Sequence, residues 1–399
     1  MNKNIEKLYA VSAKQQRNII GLMSGTSLDG LDVALCTIEG YGIETKLTLK
    51  RFTTVSYNED FKTEVKNVFS KEVVNLQKLC LLNEWIAKQH AEMVNACLKK
   101  WDIAAAEIDL IASHGQTIYH APLSLHGLQK FGNGTLQIGD GDHLAVNTGI
   151  ITISDFRQKH IAAGGEGAPL AAYGDYLLFK DPVNDVILLN IGGIANFTFL
   201  PADDADGRMF SSDTGPGNTM MDFWMEQNFP GKFYDENAEV AKMGTVNQVV
   251  LKSLLENDFF KKLYPKTTGP ELFNNNYLQS ALLKSGITSI TVYDMMATLN
   301  RFTAQTIIDA IKPILSENSC KIYVSGGGMH NPVLMDYLRY NLAVTSIEST
   351  EKKNINPDAK EAILFAILAN ECVAGDASIF RAATKSFPSI SMGKISFPD

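Results

Sequence analysis

Apolar residues recur along the chain in short strand-like runs that alternate with longer stretches of helical periodicity. The strand-like runs lie at 19–38, 47–56, 108–113, 136–140, 150–154, 186–200 and 321–325. The helical stretches lie at 73–100, 143–148, 219–227, 248–263, 293–315, 331–342 and 358–372. Strands that alternate with helices are typical of an α/β protein. Residues 1–17 are polar and mixed in charge, so we expect a frayed N-terminal leader.

Two short loops, one in each half of the chain, join strand-like runs and are rich in glycine and hydroxyl side chains. The first is S-G-T-S-L-D-G-L-D at 24–32, and the second is N-I-G-G-I-A-N at 190–196. Glycine lets backbone N–H groups close on an anion, and hydroxyl groups add donors. The two hairpins predict related subdomains that bind a polyphosphate from both sides. The first loop alone would be equally consistent with a plain β-turn.

A third glycine-rich turn, 326–328, follows a strand and precedes a helix, where a nucleoside could approach the backbone. The residues expected to contact a nucleoside polyphosphate, which the family resemblance described below identifies as ATP, are Gly25, Thr26, Ser27, Leu28, Asp29, Gly30, Leu31, Asp32, Gly192, Gly193, Asn196, Gly326, Gly327 and Gly328. The sequence contains no G-x-x-x-x-G-K-[ST] motif, whose lysine would offset phosphate charge. We therefore expect Asp29 and Asp32 to hold Mg²⁺ through water.

Composition and charge narrow the class of protein. The 399 residues, of which 45% are hydrophobic, suffice for two medium domains. A formal charge of -8 argues against nucleic acid or an anionic membrane as partner. The five cysteines are scattered and form no C-x-x-C, which predicts reduced thiols rather than zinc or disulfides. No window approaches the ~20 apolar residues of a membrane span, and the N-terminus lacks the apolar core of a secretion signal, so a cytoplasmic location is expected.

The order of the motifs resembles the sugar kinase, Hsp70 and actin superfamily, and more closely the anhydro-N-acetylmuramic acid kinase family. The motifs that carry this likeness are GLMSGTSLDGLD at 21–32, SHGQT at 113–117, SDFR at 154–157, AAGG at 162–165, GAPL at 167–170, LNIGG at 189–193, DTGPGN at 213–218, Gly269 with FN at 273–274, SGGG at 325–328, and EA at 361–362 with FA at 365–366. The resemblance implies an α/β fold of two actin/Hsp70-like (ribonuclease H-like) subdomains, each of mixed sheet plus helices, around a nucleotide cleft. We expect the first subdomain to comprise 1–155 and 358–399, and the second 156–357.

The resemblance also implies an unusual kinase reaction. Water attacks the anomeric carbon of 1,6-anhydro-N-acetylmuramic acid, the anhydro bridge opens, and the freed O6 takes the γ-phosphate of ATP. The products are N-acetylmuramic acid 6-phosphate and ADP, formed in peptidoglycan recycling. Asp213 is the predicted general base, because it matches the family's catalytic aspartate and a carboxylate suits this role. An aspartate that only supports the start of a helix would give the same pattern.

Several substrate contacts are implied by the same resemblance. The residues are Asp155, Arg157, His114, Gln116, Gly217, Asn218 and Glu361. Arg157 could hold the lactyl carboxylate of the muramic sugar through two hydrogen bonds, whereas an ion pair with Asp155 is the structural alternative. Glu361 could equally be a surface side chain at the start of a helix.

Two departures from the family pattern leave the exact sugar open. His160 stands where the family usually has aspartate, and Glu166 stands where it usually has glutamine. A kinase of the same fold that acts on another amino sugar is therefore the second hypothesis. A non-catalytic ATP-dependent binding protein of Hsp70 type is the third, and we expect no room for its substrate-binding domain after residue 372. The oligomeric state also stays open, with a homodimer as one option.

Overall fold

The chain divides into two compact units in the computed structural model, which describes residues 2–203, 209–315, 319–353, 356, 358–379 and 387–399. Unit 1 comprises Met1–Phe179 and Asn354–Asp399, and unit 2 comprises Lys180–Lys353. The first boundary lies after residue 179 rather than at the predicted 155–156. The reason is that 156–179 packs within unit 1, where the Phe156 ring contacts Phe365 and the Tyr173 hydroxyl donates to the Pro388 carbonyl (2.8 Å).

Unit 1 is built on a mixed sheet with helices. Its strands, numbered along the whole chain, are β1 (Gln16–Ser24), β2 (Gly30–Glu39), β3 (Lys46–Ser56), β4 (Leu110–Ala121), β5 (Gly134–Ile138), β6 (Thr152–Ser154) and β12 (Lys394–Ser396). Its helices are α1 (Lys3–Ala13), α2 (Glu59–Lys66), α3 (Leu76–Trp101), α4 (Leu123–His126), α5 (Gly141–Thr148), α6 (Phe156–Ala162), α7 (Ala171–Phe179) and α15 (Lys360–Ala374). The strand order is β12-β6-β4-β1-β2-β3, and β5 pairs with β4.

Unit 2 contains a second mixed sheet. Its strands are β7 (Asp185–Ile191), β8 (Ile194–Leu200), β9 (Phe210–Pro216), β10 (Cys320–Ser325) and β11 (Ser346–Ser349). Its helices are α8 (Thr219–Asn228), α9 (Glu239–Lys242), α10 (Gln248–Leu255), α11 (Asp258–Lys261), α12 (Asn275–Ser285), α13 (Val292–Ile311) and α14 (Pro332–Asn341). The strand order is β11-β10-β7-β8-β9.

The two sheets share one topology. In unit 1, β1, β2 and β3 form an antiparallel meander, and β4 and β6 continue the sheet in parallel on the other side of β1. In unit 2, β7, β8 and β9 form the same meander, and β10 and β11 the same parallel extension. This repeated order confirms the predicted α/β fold of two related subdomains with mixed sheets.

Helix α15 covers one face of the unit 1 sheet at very short range. A Cβ atom at Gly21, in the middle of β1, would lie 1.9 Å from the carbonyl oxygen of Ala362. The opposite face is covered by α3, whose Ile86 and Val94 are fully buried in one cluster with Ile20 and Ile111. Since β1 is sandwiched in this way, the loop that follows it is held at a fixed position on unit 1.

Asparagine caps account for three differences between the predicted and the observed helices. The expected frayed leader is helix α1, which the Asn2 side chain caps. The predicted helix 248–263 is divided into α10 and α11, because Asn257 accepts a hydrogen bond from the Phe259 N–H (2.9 Å) and begins a new helix. Helix α12 was not predicted, and the Asn274 side chain caps it in the same way.

Arg17 is expected to be a main source of stability in unit 1, because it is 3% exposed and bonds five acceptors. Its acceptors are the carbonyl groups of Val11, Ser12, Lys14 and Gly40 and the side-chain oxygen of Asn370. Arg17→Ala removes these five hydrogen bonds and the packing of a buried side chain, and it should cost about 2–4 kcal/mol in the free energy of unfolding. Urea unfolding measures this loss. The exposed Arg51→Ala is the matched control, and equal losses in the two variants would contradict this role.

Candidate active site

The first of the two predicted phosphate loops, 25–29, joins β1 to β2 and carries an ionised carboxylate. The Ser27 hydroxyl donates to Oδ1 of Asp29 (2.6 Å), and this bond lowers the pKa of Asp29. Asp32 follows on β2 and accepts a hydrogen bond from the Thr54 hydroxyl (2.5 Å), while burial raises its pKa. Leu28 has a φ of 58° and a buried side chain, which anchors the loop. The loop can therefore present backbone N–H groups to a phosphate and the Asp29 carboxylate to a cation.

A buried chain of hydrogen bonds supports this loop from behind. The Ser24 hydroxyl donates to Oε1 of Gln116 (2.5 Å), so the Tyr57 hydroxyl donates to Ser24 (2.7 Å). His90 Nε2 lies 3.0 Å from the Tyr57 oxygen and completes the chain. Gln116 is fully buried, and its Nε2 donates to the Gly25 carbonyl (3.4 Å). The structure thus places Gln116, a predicted substrate contact, where it holds the loop.

Arg157 and two other predicted substrate residues of unit 1, His114 and Glu361, lie together. Nε of Arg157 donates to Nε2 of His114 (2.9 Å), and its Nη1 donates to the Gly167 carbonyl (2.8 Å). Burial, with Arg157 adding to the effect, lowers the pKa of His114 to about 3, so this imidazole is neutral and can accept. Glu361, at the start of α15, interacts electrostatically with Arg157, although burial raises the pKa of Glu361. The cluster offers one fixed cation beside a carboxylate.

Asp155 has a different partner from the one considered above. Its Oδ2 accepts a hydrogen bond from Lys394 on β12 (2.8 Å), so the alternative of an Asp155–Arg157 ion pair is wrong. Asp155 and Lys394 border a cavity of about 420 Å³ in unit 1, which His114 and Gln158 also line. Sequence reasoning missed Lys394, since it lies more than two hundred residues away in the chain.

The second predicted phosphate loop, which joins β7 to β8 in unit 2, is hydrogen-bonded to the turn that follows β9. The N–H groups of Gly217 and Asn218 donate to the carbonyl groups of Gly193 and Gly192 (both 2.8 Å). A Cβ atom at Gly217 would lie 2.1 Å from the Gly192 carbonyl oxygen. The amide group of Asn218 also donates to the Ile191 carbonyl (3.3 Å). Gly217 and Asn218 were predicted as substrate contacts, and the structure makes them part of the support of this loop.

The glycine triplet after β10 packs against the same loop. A Cβ atom at Gly326 (φ 85°) would lie 2.6 Å from the Ile191 carbonyl oxygen. One at Gly328 would lie 2.2 Å from Cγ2 of Ile191. Gly327 and Gly328 line a cavity of about 560 Å³. The three glycine-containing motifs of unit 2 therefore converge at one end of its sheet.

Further side chains of this cavity were not found from the sequence. They are Met221, Asp222, Tyr234, Asp235, Glu236, Asn237, His330 and Asn331. Burial, and Glu226 to a smaller extent, raise the pKa of Asp222 to about 6. The only available signal was that α8 directly follows the 213–218 motif. The cavity combines apolar and hydrogen-bonding side chains beside an exposed glycine backbone, which suits a nucleoside.

Asp213 lies on β9, directly opposite Asn196 on β8. Its Oδ2 accepts the Thr268 N–H (2.8 Å), and its own N–H donates to the Lys266 carbonyl (2.9 Å). Burial raises the pKa of Asp213, and the charge of Glu271 adds to this rise. A half-buried carboxylate that is held at one oxygen and has a raised pKa is suited to accept a proton with the other.

Two buried histidines in unit 1 should make its stability depend on pH. Burial lowers the pKa of His90 to about 4 and that of His114 to about 3, against ~6.5 for the unfolded chain. Above pH ~6.5 both histidines are neutral in the folded and the unfolded chain, so their contribution to stability is fully present. As the pH falls below this value, the unfolded chain binds protons first, and each histidine lowers the free energy of unfolding by about 1.4 kcal/mol per pH unit. In urea unfolding between pH 6.5 and 4.5, His90→Gln should reduce the dependence of the free energy of unfolding on pH by the contribution of one proton, about 1.4 kcal/mol per pH unit. An unchanged slope in His90→Gln would contradict the assignment.

The duplicated sheets, the glycine turns at the strand ends and the half-buried aspartate on β9 are the features that the sequence predicted for a two-unit α/β kinase. The family model for anhydro-N-acetylmuramic acid kinase matches residues 17–398, and the chain belongs to this family. Within the described ranges of the chain, every helix is too short or too polar to cross a membrane.

Relatives of the chain carry the family's name over their full length. A chain from Pseudoalteromonas atlantica named anhydro-N-acetylmuramic acid kinase is 56% identical over 401 residues, which is 100% of both chains. One of the same name from Pseudoalteromonas translucida is 52% identical, again over 100% of both. A third, from Caldanaerobacter subterraneus, is 37% identical over 98% of this chain and 100% of the relative.

Proposed function

We propose that the protein opens 1,6-anhydro-N-acetylmuramic acid with water and transfers the γ-phosphate of ATP to O6, giving N-acetylmuramic acid 6-phosphate and ADP in peptidoglycan recycling. The observation that carries this proposal is the full-length family match, because it includes the turns of both sheets and Asp213. The alternative, a kinase of the same fold for another amino sugar, is not favoured, since all three relatives described above carry the same name. A cytoplasmic location and a homodimer stay predictions.

Asp213 is the proposed general base. Its free carboxylate oxygen takes a proton from water, and the water oxygen forms a bond to C1 as the bond from C1 to the bridging O6 breaks. The electron pair released to O6 forms the new bond to the γ-phosphorus, and ADP leaves. The Thr268 N–H holds the other carboxylate oxygen at 2.8 Å, which fixes the orientation of the base.

Hydrogen bonds from both sheets are proposed to bind ATP. The backbone of Gly192 and Gly193, and Asn196, would contact phosphate, and the cavity beside Gly327 and Gly328 would take the nucleoside. In unit 1 the proposed contacts are Gly25, Thr26, Ser27, Leu28, Asp29, Gly30, Leu31 and Asp32. A Cβ atom at Gly25 would meet no atom closer than 3.5 Å, so the backbone of this loop is open to a ligand.

The residues present fit a Mg²⁺ ion. Asp29 is exposed and its pKa is lowered, so a carboxylate is available, and Asp32 lies three residues further on, near the start of β2. Among the described residues, no group of three or more His, Cys, Asp or Glu could hold a metal ion. Two carboxylates plus water and substrate phosphate are the usual ligands of Mg²⁺. Asp29 and Asp32 would therefore hold it through water, and it would supply charge neutralisation at the phosphates.

The Arg157 cluster is the proposed site for the anionic part of the sugar. Nε and Nη1 of the guanidinium are held by His114 and Gly167, so its direction is fixed before a ligand binds. A charge-assisted pair with the lactyl carboxylate would then lose little side-chain entropy. Glu361 and Asp155 would contact hydroxyl groups of the sugar.

Turnover of two sugars tests this function. The protein is incubated with MgATP and either 1,6-anhydro-N-acetylmuramic acid or N-acetylglucosamine, and the masses of the products are measured by mass spectrometry. We expect phosphorylation of the anhydro sugar and a mass gain of one water. Phosphorylation of N-acetylglucosamine alone would reject the proposal in favour of the second acceptor.

A further inference from the structure

His160 is a buried histidine that has no place in the reaction proposed above. It lies in the last turn of α6 and is fully buried. Its Nδ1 accepts a hydrogen bond from the N–H of Gly167 at 2.9 Å. Since Nδ1 is the acceptor, the proton of the neutral ring is on Nε2.

The ring is tightly enclosed. A Cβ atom at Gly165 would lie 2.2 Å from Cε1 and 2.5 Å from Nδ1 of the ring, so the Gly165 backbone packs directly against it. The Tyr173 ring meets it edge-on, with 5.6 Å between the centroids. The Asn133 side chain donates to the Gly165 carbonyl at 3.0 Å and holds the segment from outside. The packing therefore fixes the position of the His160 ring and the direction in which its Nδ1 accepts a hydrogen bond.

Gly167 connects this histidine to the guanidinium of Arg157. Its N–H donates to His160, and its carbonyl group accepts from Nη1 of Arg157 at 2.8 Å. Its φ of 84° is in the left-handed region, where a side chain would be strained. Both polar groups of this one residue are thus committed, one to His160 and one to Arg157.

The guanidinium keeps one free end. Nε and Nη1 donate to His114 and Gly167, whereas Nη2 has no acceptor among the described residues. A guanidinium that is fixed on two sides and open on the third presents its remaining donors in one direction. The orientation of the guanidinium depends on its hydrogen bond to the Gly167 carbonyl, and the position of Gly167 depends in turn on the hydrogen bond from its N–H to His160.

We propose that His160 is a positioning residue for Arg157, acting through Gly167 so that the guanidinium is aimed at the carboxylate of the sugar. This role rests on the proposed function, because it takes the lactyl carboxylate as the ligand. The positioning role requires a hydrogen-bond acceptor where Nδ1 of His160 accepts the Gly167 N–H.

A pair of variants separates the acceptor from the bulk of the ring. In His160→Asn the side-chain oxygen can occupy the position of Nδ1 and accept the Gly167 N–H. In His160→Gln the longer side chain carries its amide to the position of Nε2, so the Gly167 N–H loses its acceptor. We expect His160→Gln to raise KM for the anhydro-muramic sugar about tenfold or more, with kcat and the KM for ATP changed less than about threefold. His160→Asn should remain within about threefold of the wild type in all three constants.

Two further measurements exclude a merely structural effect. In an Arg157→Gln background, His160→Gln should add less than about twofold to KM, since the two residues act in series. With 1,6-anhydro-N-acetylglucosamine, which lacks the lactyl carboxylate, the Asn and Gln variants should have equal kcat/KM. Equal KM values for the anhydro-muramic sugar in the two variants, or additive effects with Arg157→Gln, would overturn the positioning role. Absence of turnover of this sugar by the wild type would instead reject the proposed function, and the inference with it.

Discussion

Asp213→Asn is expected to lower kcat by about 10²–10⁴-fold. Asparagine keeps the shape of the side chain and can still accept the Thr268 N–H with its oxygen, but it cannot take a proton from water. Steady-state kinetics with the anhydro sugar and MgATP measure the loss. The affinity for ATP should change little, and it can be measured by calorimetry without the sugar.

The matched control for this variant is Asp258→Asn. Asp258 is also in unit 2, but its side chain is exposed and forms a surface ion pair with Lys261 at 2.9 Å. We expect kcat within about twofold of the wild type for this change. A kcat of Asp213→Asn close to that of Asp258→Asn would show that another group accepts the proton.

Gly217→Ala is expected to lower kcat/KM for ATP by about 100-fold or more. The added Cβ would lie 2.1 Å from the Gly192 carbonyl oxygen and 3.2 Å from the Ala195 backbone nitrogen, so the phosphate loop must move away. The N–H groups at 217 and 218, which now donate to that loop, would move with the same change. Initial rates over a range of ATP concentrations measure the effect.

Two controls keep the Gly217 result interpretable. Gly132→Ala is the matched substitution, because a Cβ there meets no atom within 4 Å, and it should leave the kinetics unchanged. Thermal unfolding shows whether Gly217→Ala is folded at the assay temperature. A folded Gly217→Ala protein with wild-type kcat/KM for ATP would mean that the 191–196 loop does not bind phosphate.

Local sequence patterns predicted the parts of the molecule that depend on near neighbours in the chain. The hairpins β1–β2 and β7–β8, and the strand–GGG–helix segment, combine short apolar runs with glycine turns, and both signals lie within twenty residues or so. Their recurrence predicted two related sheets, and the common strand order confirms this. The asparagine caps of α11 and α12 were also present in the sequence, but a single Asn is too common to mark a helix start by itself.

Contacts between distant segments could not be predicted in this way. The partner of Asp155 is Lys394, and the boundary after residue 179 depends on contacts such as Tyr173 with Pro388. The position of Gln116 behind its loop depends on Ser24, 92 residues earlier in the chain. No periodicity or spacing encodes such pairs, because they arise only when strands from different parts of the sequence become neighbours. The clustering of His114, Arg157 and Gly167 belongs to the same class.

The most direct test of the proposed reaction is the fate of the oxygen of water. The protein is incubated with 1,6-anhydro-N-acetylmuramic acid, MgATP and ¹⁸O-water, and the product is fragmented in a mass spectrometer. If water opens the bridge at C1 while O6 takes the phosphate, one heavy oxygen is on C1 and the phosphate is on O6. Heavy oxygen in the phosphate group, or a phosphate on a sugar whose anhydro bridge is intact, would contradict the account.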